Sequence, residues 1–140
     1  MQETTDGLRQ FLQVDRVVIY YFCAEWNGRV TFEALSHPKY SIWGMTGPDD
    51  CFNDEYAALY LAGRVRTIED IEKAAIALCH RDFLREIQVR ANLVVPILTA
   101  GGLWGLLVAH HCQGSRGWTP VDIERMKEGA QVLATASSIG

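Results

Sequence analysis

A thiol beside an imidazole opens the segment Ile76 to Leu98, IALCHRDFLREIQVRANLVVPIL. The pattern from His80 to Gln88 predicts a helix, with Phe83, Leu84 and Ile87 inward and Asp82, Arg85 and Glu86 toward water. Cys79 then stands at the mouth of that helix. Unpaired N–H groups and the positive end of the dipole lower a thiol's pKa there. Such a thiolate can attack an electrophile and stay attached. The dipeptide alone is a weak signal, because a cysteine protease needs its histidine near in space rather than in sequence. A second thiol, Cys51, lies upstream in Asp49-Asp50-Cys51-Phe52, just after Gly47-Pro48. A carboxylate in an irregular stretch is ordinarily solvated. If the loop folds over a pocket, Asp49 accepts hydrogen bonds from ligand N–H groups and favours a positively charged ligand.

Other reactive side chains have plainer readings. Cys23 and Cys112 lie in or beside apolar strands and read as small buried residues. His110 and His111 end an apolar strand, and successive strand residues point to opposite faces, so one of them faces inward. An inward histidine is most often a satisfied core group. Tyr56, Tyr60 and Trp104 read as aromatic core. No CxxC pair suggests zinc, and the acidic pairs Asp49-Asp50 and Asp54-Glu55 lack matching histidines. There is no G-x-G-x-x-G, P-loop or HExxH.

The chain that must position these groups has 140 residues, enough for one domain with a real core. About half of it is apolar and its net charge is −4, with no basic run that would suit nucleic acid. Its longest apolar runs, such as Leu103 to Ala109, fall far short of the roughly 20 residues of a membrane span. Nothing at the start resembles a signal peptide. A reduced, cytoplasmic setting is expected.

Leu8 to Leu12 reads as the end of a helix with Leu8, Phe11 and Leu12 on one side, a fragment that suggests a domain excised from a longer chain. Arg16 to Phe22 is a buried strand, Trp26-Asn27-Gly28 a turn, and Arg29 to Ser36 its partner, with Val30, Phe32 and Ala34 on one face. From His37 to Ala62 the periodicity weakens, apart from a short helix over Asn53 to Leu61. Long irregular insertions of this kind tend to be functional. Arg64 to Ile68 alternates as a short strand, whereas Ile71 to Leu78 fits a helix or a packed loop equally well. Ala91 to Leu98 and Leu103 to His111 form a hairpin central to the sheet. Thr119-Pro120-Val121-Asp122 starts the last helix, with Ile123, Met126, Ala130 and Leu133 as its apolar stripe. The expected fold is α+β, an antiparallel sheet with helices on both faces.

LRQFLQVDRVVIYYF, YLAGRVRTIEDI, CHRDFLREIQVRANLVVPIL and LWGLLVAHHC are similar, in this order, to successive segments of the cyanobacteriochrome GAF domain. The resemblance covers nearly the whole chain. It implies a single photosensory GAF domain over residues 1–140, cut from a larger multidomain sensor, carrying a covalent linear tetrapyrrole: phycocyanobilin or its isomer phycoviolobilin.

The same resemblance assigns roles. Cys79 matches the cysteine that forms the thioether to the A-ring side chain, and His80 the histidine packed against the tetrapyrrole plane. Asp49 matches the aspartate facing the pyrrole N–H groups. Asp49-Asp50-Cys51-Phe52 resembles the Asp-Xaa-Cys-Phe motif of one subfamily, which makes Cys51 its second, photochromic cysteine. Tyr60 and Arg64 fall near the propionates, and Asn92 and His110 on strand positions that face the pocket. Tyr56 stands where that subfamily often has tryptophan, near ring D, which leaves the photoproduct colour open. The implied cycle joins light-driven isomerisation between rings C and D to making and breaking of the Cys51 adduct, switching between a blue or violet band and a longer wavelength.

The resemblance implies a sensor rather than an enzyme, apart from autocatalytic bilin attachment or isomerisation. An output domain of the same chain would receive the signal, and the terminal helices could support a dimer. Two other classes stay open from the residues alone: a GAF-fold redox enzyme of the free methionine sulfoxide reductase type, and a small-ligand or dimerisation module.

Overall fold

The computed structural model describes residues 2–24, 27–47, 54–76 and 78–135, with side chains for all of these except 23–24, 27–28, 46–47, 54–57 and 79. Helix α1 spans Gln2–Leu12, followed by strands β1 (Arg16–Ala24) and β2 (Asn27–Leu35). A 3-10 turn over Pro38–Tyr40 leads to the two-residue strand β3 (Thr46–Gly47), helix α2 (Asp54–Leu61) and strand β4 (Arg66–Ile68). Helix α3 (Leu78–Glu86), the β5 (Ala91–Thr99) and β6 (Gly102–His111) hairpin and helix α4 (Pro120–Ala134) complete the described chain.

The strands form one antiparallel sheet in the order β3-β2-β1-β6-β5-β4. Alternation along each strand divides the core between its two faces. Val17, Ile19, Leu93, Val95, Leu107 and Ala109 pack against α1 and α4, where Leu8, Leu12, Met126, Ala130 and Leu133 meet them. Val18, Val30, Val94, Leu106 and Val108 face the other way, toward Tyr60 of α2. Leu84 and Ile87, from α3 and its end, pack with Ile68, Ile71 and Val89 on that side. The expected α+β architecture with helices on both faces is therefore the one observed.

The N-cap of α4 also follows expectation. The Thr119 hydroxyl accepts from Asp122 N–H at 3.1 Å and the Asp122 carboxylate accepts from Thr119 N–H at 3.0 Å, a closed capping box with Pro120 in the first turn.

Four details differ from expectation. Helix α1 runs eleven residues from Gln2, and Phe11 is half-exposed beneath the Arg125 guanidinium instead of sharing the buried face of Leu8 and Leu12. In β2, Ile19 pairs with Phe32 but Tyr20 pairs with Val30, so Thr31 is an extra residue. This bulge turns Val30 to the face opposite Phe32 and Ala34. Helix α3 starts at Leu78 and ends at Glu86, short of Gln88. Gln88 adopts φ 66° and lets Val89 N–H bond back to the Leu84 carbonyl at 2.9 Å, a turn usually assigned to glycine. Residues Ile71 to Ile76 form turns, clamped by Arg81 of α3 through the carbonyls of Ile71 and Ala74 at 2.8 and 2.6 Å. Of the predicted Trp26-Asn27-Gly28 turn, Asn27 and Gly28 instead open β2, paired with Ala24 and Phe22, and Trp26 lies outside the described residues.

Candidate functional site

The second face of the sheet is not fully covered. Between it and α3, α2 and the segment after Tyr40 lies a cleft with about 930 Å³ of empty space, open to solvent. Val18, Val94, Leu106 and Val108 form its floor, Ile42 and Met45 one side, and His80, Phe83 and Leu84 of α3 another. Most of its wall is apolar.

The polar groups are few and placed by strand register. Asn92 pairs with His110 across β5 and β6, and His110 pairs with Arg16 across β6 and β1. These three residues form a polar row on that face of the sheet; Asn92 and His110 line the cleft, and Arg16 lies beyond it. Asn92 is 3% and His110 4% exposed. Asn92 Oδ1 and His110 Nδ1 have no hydrogen-bond partner among the described residues. Two buried polar atoms left unpaired beside one cleft are costly, on the order of 1–3 kcal/mol each, unless something else satisfies them. The expectation of a satisfied core histidine is therefore not met at His110. It applies better to His111, whose Nδ1 lies 2.8 Å from the Gly114 carbonyl.

Burial pushes His110 well below the ordinary histidine value, helped by the positive charge of Arg16 and by His80. At neutral pH the ring is uncharged and keeps one donor and one acceptor nitrogen. Arg66 of β4 also lines the cleft and makes no ion pair or hydrogen bond with the described residues. It is a cation on a largely apolar wall, suited to an anionic arm of a ligand.

Of the side chains singled out from sequence, Tyr60, His80, Asn92 and His110 come together in this cleft. Arg64 does not line it: its guanidinium lies over the Tyr60 ring, 5.7 Å from the centroid. Strand β4 begins two residues later than expected, and Arg66 lines the cleft. The backbone of Cys79 is in the first turn of α3, immediately before His80, and its side chain is outside the described residues. Tyr56 lies in α2, with its side chain likewise outside. Asp49, Cys51 and Phe52 lie outside the described residues altogether.

Arg66, Phe83, Ile42 and Met45 were missed as site residues. For Arg66 and Phe83 the signal was available: Arg66 shares the β4 face of Ile68, and Phe83 lies about one helical turn after His80. Cys112, read as a small buried residue, is half-buried with its Sγ 3.7 Å from Arg16 Nη2, and burial pushes its thiol up. Cys23 has its side chain outside the described residues. Among the described residues no group of three or more His, Cys, Asp or Glu side chains could hold a metal, and no helix is long and apolar enough to cross a membrane.

Known proteins are similar to this chain in sequence and in fold. An uncharacterized protein of Picosynechococcus sp. is 52% identical over 96% of the chain and 82% of its own length. The circadian input-output histidine kinase CikA of Synechocystis sp. is 32% identical over 97% of the chain, which spans only 21% of that kinase. Among solved structures, the blue-light absorbing form of the Thermosynechococcus elongatus PixJ GAF domain has a TM-score of 0.84 at 33% identity, covering 95% of this chain and 84% of that one. The phycoerythrobilin-bound GAF domain from a cyanobacterial phytochrome has a TM-score of 0.87 at 28% identity, covering 99% and 83%. The GAF domain family model matches residues 1–136, and with the six-stranded sheet and its one-sided cleft this means that the chain belongs to the GAF domain family.

Proposed function

We propose that this domain is a light sensor that holds a linear tetrapyrrole in the cleft, attached covalently through Cys79. The observation that carries this reading is the pair of orphaned buried atoms, Asn92 Oδ1 and His110 Nδ1, at one end of a large apolar cleft that also bears Arg66. A ligand that fits must be mostly apolar, offer N–H and C=O groups to that end, and carry an acid for Arg66. A bilin has all three: conjugated pyrrole rings, lactam ends and propionate arms. The PixJ and phycoerythrobilin-bound relatives support the same assignment.

Each residue then has a task. Cys79, in the first turn of α3, is placed where the helix N-terminus favours its thiolate. His80 presents its ring to the cleft one residue on, and Asn92 and His110 orient polar edges at the floor. Arg66 holds an acid arm, and the apolar wall excludes water. When bound, the bilin supplies visible absorption and light-driven isomerisation of a double bond. Cys51 is the second, reversible thiol of the subfamily reading, with Asp49 as partner of the pyrrole N–H groups. The signal passes to an output domain of a larger protein.

The test is production of the chain together with phycocyanobilin, followed by acid denaturation. Colour that stays with the denatured parent and is lost in Cys79→Ala supports the reading. The denatured spectrum also separates phycocyanobilin from phycoviolobilin. A blue band present in the parent and replaced at longer wavelength in Cys51→Ala supports the second thioether. A colourless protein with thiol-dependent turnover of methionine sulfoxide overturns the sensor reading in favour of a redox enzyme.

A further inference from the structure

Arg16 opens β1 and is completely buried, with no carboxylate among its hydrogen-bond partners. Burying a charge is costly unless the fold uses it. Its Nη1 donates to the carbonyls of Tyr40 and Ile87, both at 3.1 Å, and its Nη2 to Ile87 and to Cys112 Sγ. Ile87 directly follows α3, the helix that carries Cys79 and His80. A guanidinium on that carbonyl satisfies an end that the helix leaves open, and it suits the negative end of the dipole. Tyr40 ends the turn from which the chain continues to Ile42 and Met45, which form another wall of the cleft. One side chain rooted in the sheet thus fastens both walls, although it does not line the cleft itself. Arg16 is also the cross-strand neighbour of His110 on the cleft face.

We propose that Arg16 is a positioning residue of the ligand site, fastening α3 and the Tyr40 segment to the sheet and placing a fixed cation beside His110 where it meets the ligand. This rests on the bilin reading above. Other titratable or charged groups around His110 are His80 from α3, Arg66 from β4 and Tyr60 from α2; β5 contributes only the neutral Asn92. Of these, only Arg16 is both a fixed cation and a direct strand neighbour of the imidazole.

The experiment uses the whole chain with and without phycocyanobilin, as parent, Arg16→Gln and Arg16→Lys. Imidazole ¹⁵N shifts of His110 are followed from neutral pH down to the onset of acid unfolding, and the visible band is recorded in the loaded proteins. In Arg16→Gln the His110 titration moves to higher pH and the band shifts or broadens. Arg16→Lys restores the titration, because it restores the charge, but not the band, because an ammonium lacks the fork that spans two carbonyls. An unchanged titration and band in Arg16→Gln overturn the proposal. If Arg16→Gln does not fold, Arg16→Lys decides: a parental titration with an altered band supports the proposal, and a parental band overturns it. The bilin reading fails separately, through a parent that takes up no pigment, and the ligand-free titration is read regardless.

Discussion

Asn92 and His110 sit side by side on β5 and β6, both almost wholly buried, and each has one side-chain atom that no described residue satisfies. Their relationship separates the needs of the ligand from those of the fold. Replacing Asn92 with leucine removes an orphaned acceptor and adds apolar surface. Ligand-free Asn92→Leu is expected to equal the parent in stability or exceed it by about 1 kcal/mol, measured by urea unfolding, while its yield of covalent pigment falls.

His110 makes the ligand-free domain sensitive to acid. Its folded-state pKa is depressed by burial, then by Arg16 and His80. The unfolded chain therefore binds the proton more readily than the folded one. Stability is complete above the unfolded value, near 6.5, and declines as pH falls below it, by up to about 1.4 kcal/mol per pH unit. Chemical denaturation across this window should show the slope in the parent and its loss in His110→Gln.

Arg66 and Arg64 should differ in function although they are two residues apart. Arg66→Gln is expected to leave the melting temperature nearly unchanged and to reduce pigment uptake or shift the band, since Arg66 touches the cleft and pairs with no described residue. Arg64→Gln, which loses a ring contact with Tyr60, should assemble close to normally. Comparable assembly defects in both variants would remove the distinction.

The end of α3 invites a stabilising change. Gln88 occupies the left-handed region at φ 66°, at a cost for any residue with a Cβ. Gln88→Gly is expected to stabilise the domain by about 0.5–1 kcal/mol, read as a higher urea midpoint with an unchanged slope.

Close approach of two backbones sets the opposite expectation at Gly105. A Cβ added there would lie 2.3 Å from the Tyr20 carbonyl oxygen, where β6 pairs with β1. The backbone must move, so Gly105→Ala should cost about 3 kcal/mol, visible as a lowered melting temperature.

Where local chemistry and tertiary structure agree, the sequence was readable. The Thr119-Pro120-Asp122 cap, the central β5–β6 hairpin and the opposite facing of His110 and His111 all follow from spacing and side-chain type. The end of α3 was missed because Gln88 performs a turn that glycine usually signals, and the pattern alone carries the helix through it. The bulge at Thr31 has no marker residue, so simple alternation put Val30 on the wrong face. Arg16 to Phe22 read as a buried strand, but the carbonyls that satisfy the buried Arg16 are 24 and 71 residues away, which no local pattern contains.

The sheet is a party wall. Leu107 and Val108 are consecutive, yet one belongs to the core under α1 and α4 and the other to the floor of the cleft. The same holds for Val17 and Val18 of β1 and for Leu93 and Val94 of β5. No layer of other residues separates the two compartments. A displacement of the floor by even a fraction of an ångström is therefore also a displacement of the surface on which α1 and α4 rest, and a side chain chosen to repack one compartment alters the other.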